Sequence, residues 1–157
     1  ILVSLWLDVR YIWNAEDHVW CEYFSVHLKR WIHLDCCENS FDNPLLYNDG
    51  WGKKMSYTLA IHRYYILDVS KKYLDPSKPE RHLSCNRLSG KELSTLLLFL
   101  NANRLGSIMD NGEFLETTSQ LICDYHFLNE KKTTATANLP RQSGDVFWTS
   151  KRGENGL

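Results

Sequence analysis

Two side chains in this sequence could share proton chemistry, His18 and Asp35. A carboxylate bonded to one imidazole nitrogen fixes the ring's tautomer. It also stabilises the imidazolium that forms when the other nitrogen takes a proton. Such a pair serves a nucleophile, and only if both groups reach one place. The residues between them supply a route. His18-Val19-Trp20-Cys21-Glu22-Tyr23-Phe24 and Trp31-Ile32-His33-Leu34-Asp35 are rich in β-branched and aromatic types and read as strands, with Ser25 to Arg30 polar enough to turn. Alternate strand residues share a face, which groups His18, Trp20, Glu22 and Phe24 on one strand and Trp31, His33 and Asp35 on the next. A hairpin centred between Val26 and His27 sets His18 opposite Asp35, Trp20 opposite His33 and Glu22 opposite Trp31. Opposed Cβ atoms then lie about 4.5–5.5 Å apart. Spacing alone is a weak signal, since a His and an Asp this close in sequence are common by chance.

The elements that must hold this pair are read from pattern. Tyr57–His62 and Tyr65–Val69 are two further strands, and Asn43-Pro44 and Asn48-Asp49-Gly50 mark turns in a long loop. Residues 74–90, with Asp75-Pro76-Ser77-Lys78-Pro79-Glu80, form a breaker cluster and are expected as a linker. Ser89 followed by Glu92 is a capping-box signature for a helix through the apolar run Leu93–Leu100, and a second helix is expected over Glu113–Asn129. The chain thus divides into a strand-rich part (1–73), a linker (74–90), a helical segment (91–129) and a flexible tail (130–157).

Composition narrows the function classes. The 157 residues are 43% apolar and 13% aromatic with a net charge of −1. Such a chain can bury a core and lacks the basic excess that drives phosphate binding, so neither nucleic acid nor a membrane is expected as a partner. The apolar run Ile1–Leu7 is too short to span a bilayer, which takes about 20 residues. Five Cys, an odd number, suit a reducing compartment better than a disulfide framework. No C-x-x-C occurs, and His27, His33, His62, His82 and His126 have no ligand spacing, so all five read as ordinary surface or core residues.

Longer motifs sharpen the reading. Arg10-Tyr11-Ile12-Trp13, Asp17 to Glu22, Arg30 to Glu38, Asn43-Pro44-Leu45-Leu46-Tyr47 and Gly50-Trp51-Gly52-Lys53-Lys54 together resemble the cytoplasmic peptide:N-glycanases. A weaker likeness covers Leu139-Pro140-Arg141-Gln142-Ser143-Gly144, Trp148 and Arg152-Gly153-Glu154, and residues 74–138 carry none. The resemblance implies an α+β, transglutaminase-like, papain-related fold, with an antiparallel sheet truncated on its N-terminal helical side and followed by helices. It implies a Cys-His-Asp amidase that cleaves the bond between Asn and the first N-acetylglucosamine of N-glycans on misfolded glycoproteins. His18 and Asp35 would be two members of that triad. The nucleophilic Cys and a structural zinc site would lie upstream, so this chain alone is expected to bind no metal and to be inactive. Arg10, Trp20, Glu22 and Trp31 would bind substrate, with core packing as the alternative for the two Trp. Proteasome-shuttle and ubiquitin-linked degradation factors would be partners, and the location cytoplasmic. Cys36 departs from the family, which commonly has Pro there. A non-enzymatic transglutaminase-like binding module related to DNA-damage recognition proteins is the alternative.

Overall fold

Alternation of buried and exposed side chains builds one face of a sheet, and everything else packs to cover it. The computed structural model describes residues 3–84, 87–129, 141 and 143–154. Six strands, β1 (Val9–Asn14), β2 (His18–Ser25), β3 (Arg30–Asp35), β4 (Ser40–Phe41), β5 (Thr58–Ile61) and β6 (Ile66–Asp68), form an antiparallel sheet in the order β4-β3-β2-β1-β5-β6. Four helices follow: α1 (Ser70–Tyr73), α2 (Gly90–Leu105), α3 (Asn111–Asn129) and α4 (Val146–Lys151). The α+β architecture is the expected one.

Strand β1 has no counterpart in the pattern reading. Its inward positions are Arg10, Ile12 and Asn14, all buried. Two polar residues at core positions hide the alternation of hydrophobicity on which strand recognition depends. The β2–β3 hairpin forms as expected, but its register differs. Glu22 pairs with His33 rather than Trp31, and Phe24 pairs with Trp31. The loop is Val26 to Lys29, with Leu28 N–H donating to Ser25 Oγ and Lys29 in the left-handed region at φ 50°. A shift of two residues leaves every side chain on its original face. The His18–Asp35 meeting therefore survives as a diagonal contact instead of a direct cross-strand pair.

The core lies on the His18 face. Ile12, Trp20, Ala60 and Leu67 of the sheet pack with Leu46, Tyr47, Trp51, Met55, Tyr65, Val69 and Tyr73. A π-helical turn, Leu46–Gly50, brings Tyr47 flat against Trp20, with ring centroids 4.2 Å apart. Helix α2 starts with the predicted capping box at Ser89 and Glu92, and its Asn101 side chain both donates to Ile66 O (2.8 Å) and accepts from Ile66 N–H (2.7 Å). The helix thereby satisfies the open edge of β6.

Two segment expectations need correction. Residues 74–84 are not a free linker. Asp75 is buried with its N–H on Asn48, His82 Nε2 bonds Asp75 O, and Arg81 donates to the carbonyls of Asn48 and Asp49. Their turn-forming residues close local hydrogen bonds and dock on the 46–50 turn. Residues 141 and 143–154 are likewise anchored, through a buried Glu154 held by Lys53 and Arg141 and through Arg152 on the carbonyls of Glu16 and Asp17, while Val146 and Phe147 of α4 stay exposed. The rest of the expected flexible tail, 130–140, 142 and 155–157, lies outside the described residues.

Candidate active site

His18 opens β2 and Asp35 closes β3, so the two sit at one end of the sheet. His18 Nε2 lies 3.1 Å from Asp35 Oδ2, with both residues buried. The carboxylate has further partners. Asp35 Oδ1 accepts from the N–H groups of Cys37 (3.0 Å) and Glu38 (3.2 Å), and Oδ2 also accepts from Tyr47 Oη (2.9 Å). Burial opposes the charge, but the bonds from His18 and Tyr47 outweigh it and hold Asp35 below its ordinary value. An ionised Asp35 only accepts, so His18 carries its proton on Nε2, and Nδ1 is left as the basic atom. Three rings frame the imidazole: Trp20 at 5.6 Å, Tyr47 at 4.9 Å and Trp51 at 5.2 Å between centroids.

Cys36 leaves this arrangement intact. The bonds that hold the turn come from the N–H groups of Cys37 and Glu38, so residue 36 supplies none of the N–H donors to Asp35. Among the described residues Cys21, Cys36, Cys37 and Cys123 are free thiols. Cys21 points to the opposite sheet face from His18, and burial raises its thiol pKa, which disfavours a thiolate. The described residues contain no group of three or more His, Cys, Asp or Glu placed to hold a metal.

The other four candidates form a second cluster further along the same face. Arg10 donates to Glu22 Oε2 (2.5 Å) and to Asp124 Oδ2 (2.8 Å), and its guanidinium sits 4.2 Å above the Trp31 ring. Trp31 Nε1–H and Tyr65 Oη donate to the same Asp124, each at 2.9 Å. Lys72 Nζ and Tyr73 Oη donate to Glu22 Oε1, both at 2.5 Å. Burial would raise the Glu22 pKa, yet Arg10 and Lys72 bring it down to about 2, and the two carboxylates push Arg10 up against its own burial. The structure therefore brings Arg10, Glu22 and Trp31 together but buries them, with their polar atoms bonded inside the protein. Trp20 is a core ring stacked on Tyr47. None of the four faces solvent.

Two groups near the pair escaped the sequence reading. Tyr47 appeared only within a motif. His33, expected to be ordinary, bonds Tyr47 Oη through Nε2 at 2.7 Å. The face arithmetic already placed His33 beside Trp20 and Asp35, but the 46–50 turn that delivers Tyr47 has no strand or helix pattern to announce it.

This geometry belongs to a known class. Residues 14–98 match the Rad4 transglutaminase-like domain, and the chain is a member of that family. Among curated relatives, it is 40% identical over 167 residues to the peptide-N(4)-(N-acetyl-beta-glucosaminyl)asparagine amidase of Kluyveromyces lactis, covering 99% of this chain and 45% of the relative. The amidase of the same name from Saccharomyces cerevisiae is 38% identical, with the same coverage of each chain. That of Macaca fascicularis is 36% identical over 98% of this chain and 23% of the relative. The chain thus spans about half the length of the fungal relatives and less of the macaque one.

Proposed function

We propose that this chain carries the base and the orienting carboxylate of a Cys-His-Asp amidase that cleaves the bond between Asn and the first N-acetylglucosamine of N-glycans. The observation that carries the reading is the His18 Nε2–Asp35 Oδ2 contact at 3.1 Å, backed by the fixed tautomer. The names of the relatives support the substrate class. His18 Nδ1 takes the thiol proton, and the thiolate adds to the side-chain amide carbon. The same Nδ1–H then protonates the departing glycosylamine, leaving a thioester. Water attacks that thioester, Nδ1 takes its proton, and the side chain leaves as Asp while the thiol is restored.

The nucleophile and a structural zinc site fit best in the part of the relatives that lies beyond this match. The substrates are N-glycosylated misfolded proteins, proteasome-shuttle and ubiquitin-linked factors are partners, and the site of action is the cytoplasm. No helix of the described residues is long and apolar enough to cross a membrane. The DNA-binding-module reading has less support, since a module without catalysis has no need of a polarised His–Asp pair in a chain of net charge −1. The test is glycan release from a denatured glycopeptide by the natural protein containing this sequence. His18→Ala should abolish release without unfolding the protein, and undiminished release by that variant would overturn the assignment.

A further inference from the structure

Asp35 Oδ2 has two donors, and only one of them is His18. The other, Tyr47 Oη–H, is itself held from behind. Backbone Asn43 N–H donates to His33 Nδ1 at 3.3 Å, which makes Nδ1 an acceptor and leaves the proton of the neutral ring on Nε2. Nε2–H then donates to Tyr47 Oη at 2.7 Å, and Tyr47 Oη–H donates to Asp35 Oδ2 at 2.9 Å. Every bond from Asn43 to Asp35 therefore has a single possible direction. Tyr47 and His33 are fully buried, and Tyr47 packs between Trp20 and Trp51 (centroids 4.2 and 4.9 Å), so its hydroxyl cannot swing away. Burial also lowers the His33 pKa to about 4, which keeps the ring neutral near pH 7.

We propose that Tyr47, oriented by His33, is a positioning residue for the proposed hydrolysis: by filling one acceptor site of Asp35 Oδ2 it leaves the other for His18 Nε2–H and so directs His18 Nδ1 toward the reacting thiol. The proposal rests on the amidase reading for its consequence, not for its geometry. Tyr47 reaches no reacting atom. It acts through Asp35, as His33 acts through Tyr47.

The tautomers are read directly by ¹⁵N NMR of the histidine rings of the natural protein containing this sequence at about pH 8, above the ordinary imidazole range. Both His18 and His33 should show a protonated Nε2 and a bare Nδ1, and the opposite tautomer in either overturns the proposal without any mutation. In Tyr47→Phe the packing ring remains, but the His18 signals should move toward the average of two tautomers. In the natural protein kcat should fall about tenfold, the scale of one lost hydrogen bond to a charged group, with KM within about twofold. Unchanged His18 signals in Tyr47→Phe overturn it. His33→Gln, whose amide can keep a donor near Tyr47, should preserve the His18 tautomer, whereas His33→Leu should disturb it as Tyr47→Phe does. A His33→Leu protein with native His18 signals would overturn the part given to His33. If the natural protein releases no glycan while the NMR results stand, the amidase reading fails and the positioning role is upheld.

Discussion

One face of one sheet carries two buried polar clusters with opposite designs. At the His18 end, neutral donors converge on a single carboxylate, and the chain of bonds finishes on an imidazole whose second nitrogen is left basic. At the Arg10 end, Glu22 and Asp124 meet Arg10, Lys72, Trp31, Tyr65 and Tyr73, and charge balances charge. Burying charges is costly unless each is paired and bonded, so the second cluster is built to stay closed. Among the described residues, the first cluster keeps one atom, His18 Nδ1, uncommitted. Two strands, β2 and β3, serve both ends, which ties the orientation of the pair to the integrity of the ion network.

The contrast is sharpest for substitutions that remove a charge and keep the shape. Asp35→Asn should leave the fold standing and lower kcat roughly 10³–10⁴-fold in the natural protein, because an amide facing Nε2 favours the wrong tautomer. A loss smaller than about tenfold would mean that Asp35 does not orient the ring. Glu22→Ala should do the reverse of this, acting first on stability. It takes from Arg10 one of its two carboxylate partners and from Lys72 its carboxylate partner, and unfolding in urea should register a loss of about 3–5 kcal/mol, the usual cost of breaking a buried ion pair. Near-native stability would show that water or another partner replaces the carboxylate.

Acid separates the two clusters more gently. His33 has a folded pKa of about 4 against an unfolded value near 6.5, so the unfolded chain binds the extra proton first. Its contribution is complete above about pH 6.5 and is lost as the pH falls toward 4, up to ~3 kcal/mol in all. Glu22, depressed to about 2, contributes fully above about pH 4.5 and gives way only as the pH drops from there toward 2. Melting temperatures between pH 7 and pH 5 should therefore fall less in His33→Gln than in the unchanged chain, while Glu22 adds almost nothing to that window. Parallel declines in the two proteins would remove His33 as the source.

Local pattern carried the sequence reading as far as local pattern goes. Strands β2, β3, β5 and β6 and the Ser89 cap follow from β-branched and aromatic runs and from a three-residue spacing, and all are present. The hairpin register depended on a loop whose left-handed Lys29 has no compositional mark, unlike a Gly, and the expected pairing fell two residues away. The partners of Arg10 and Glu22 were beyond reach for a different reason. Asp124, Lys72 and Tyr73 stand 114, 50 and 51 residues away from them, and no periodicity links such distances. Residues 74–84 show the same limit in reverse. Pro, Ser and Asp marked a break correctly, but turn chemistry does not reveal whether a turn is solvated or docked.

The anchored residues 141 and 143–154 bear on how the domain comes into being. Arg152 donates to the carbonyls of Glu16 and Asp17, the turn directly ahead of His18, while its own Glu154 is held by Lys53 and Arg141. A growing polypeptide makes His18 before this clamp. At about 5–20 residues per second the interval is on the order of ten seconds. For that time the hairpin has its two proton-handling groups but not the grip that steadies the turn before them. The turn ahead of the pair is therefore fastened only after residue 152 has been synthesised.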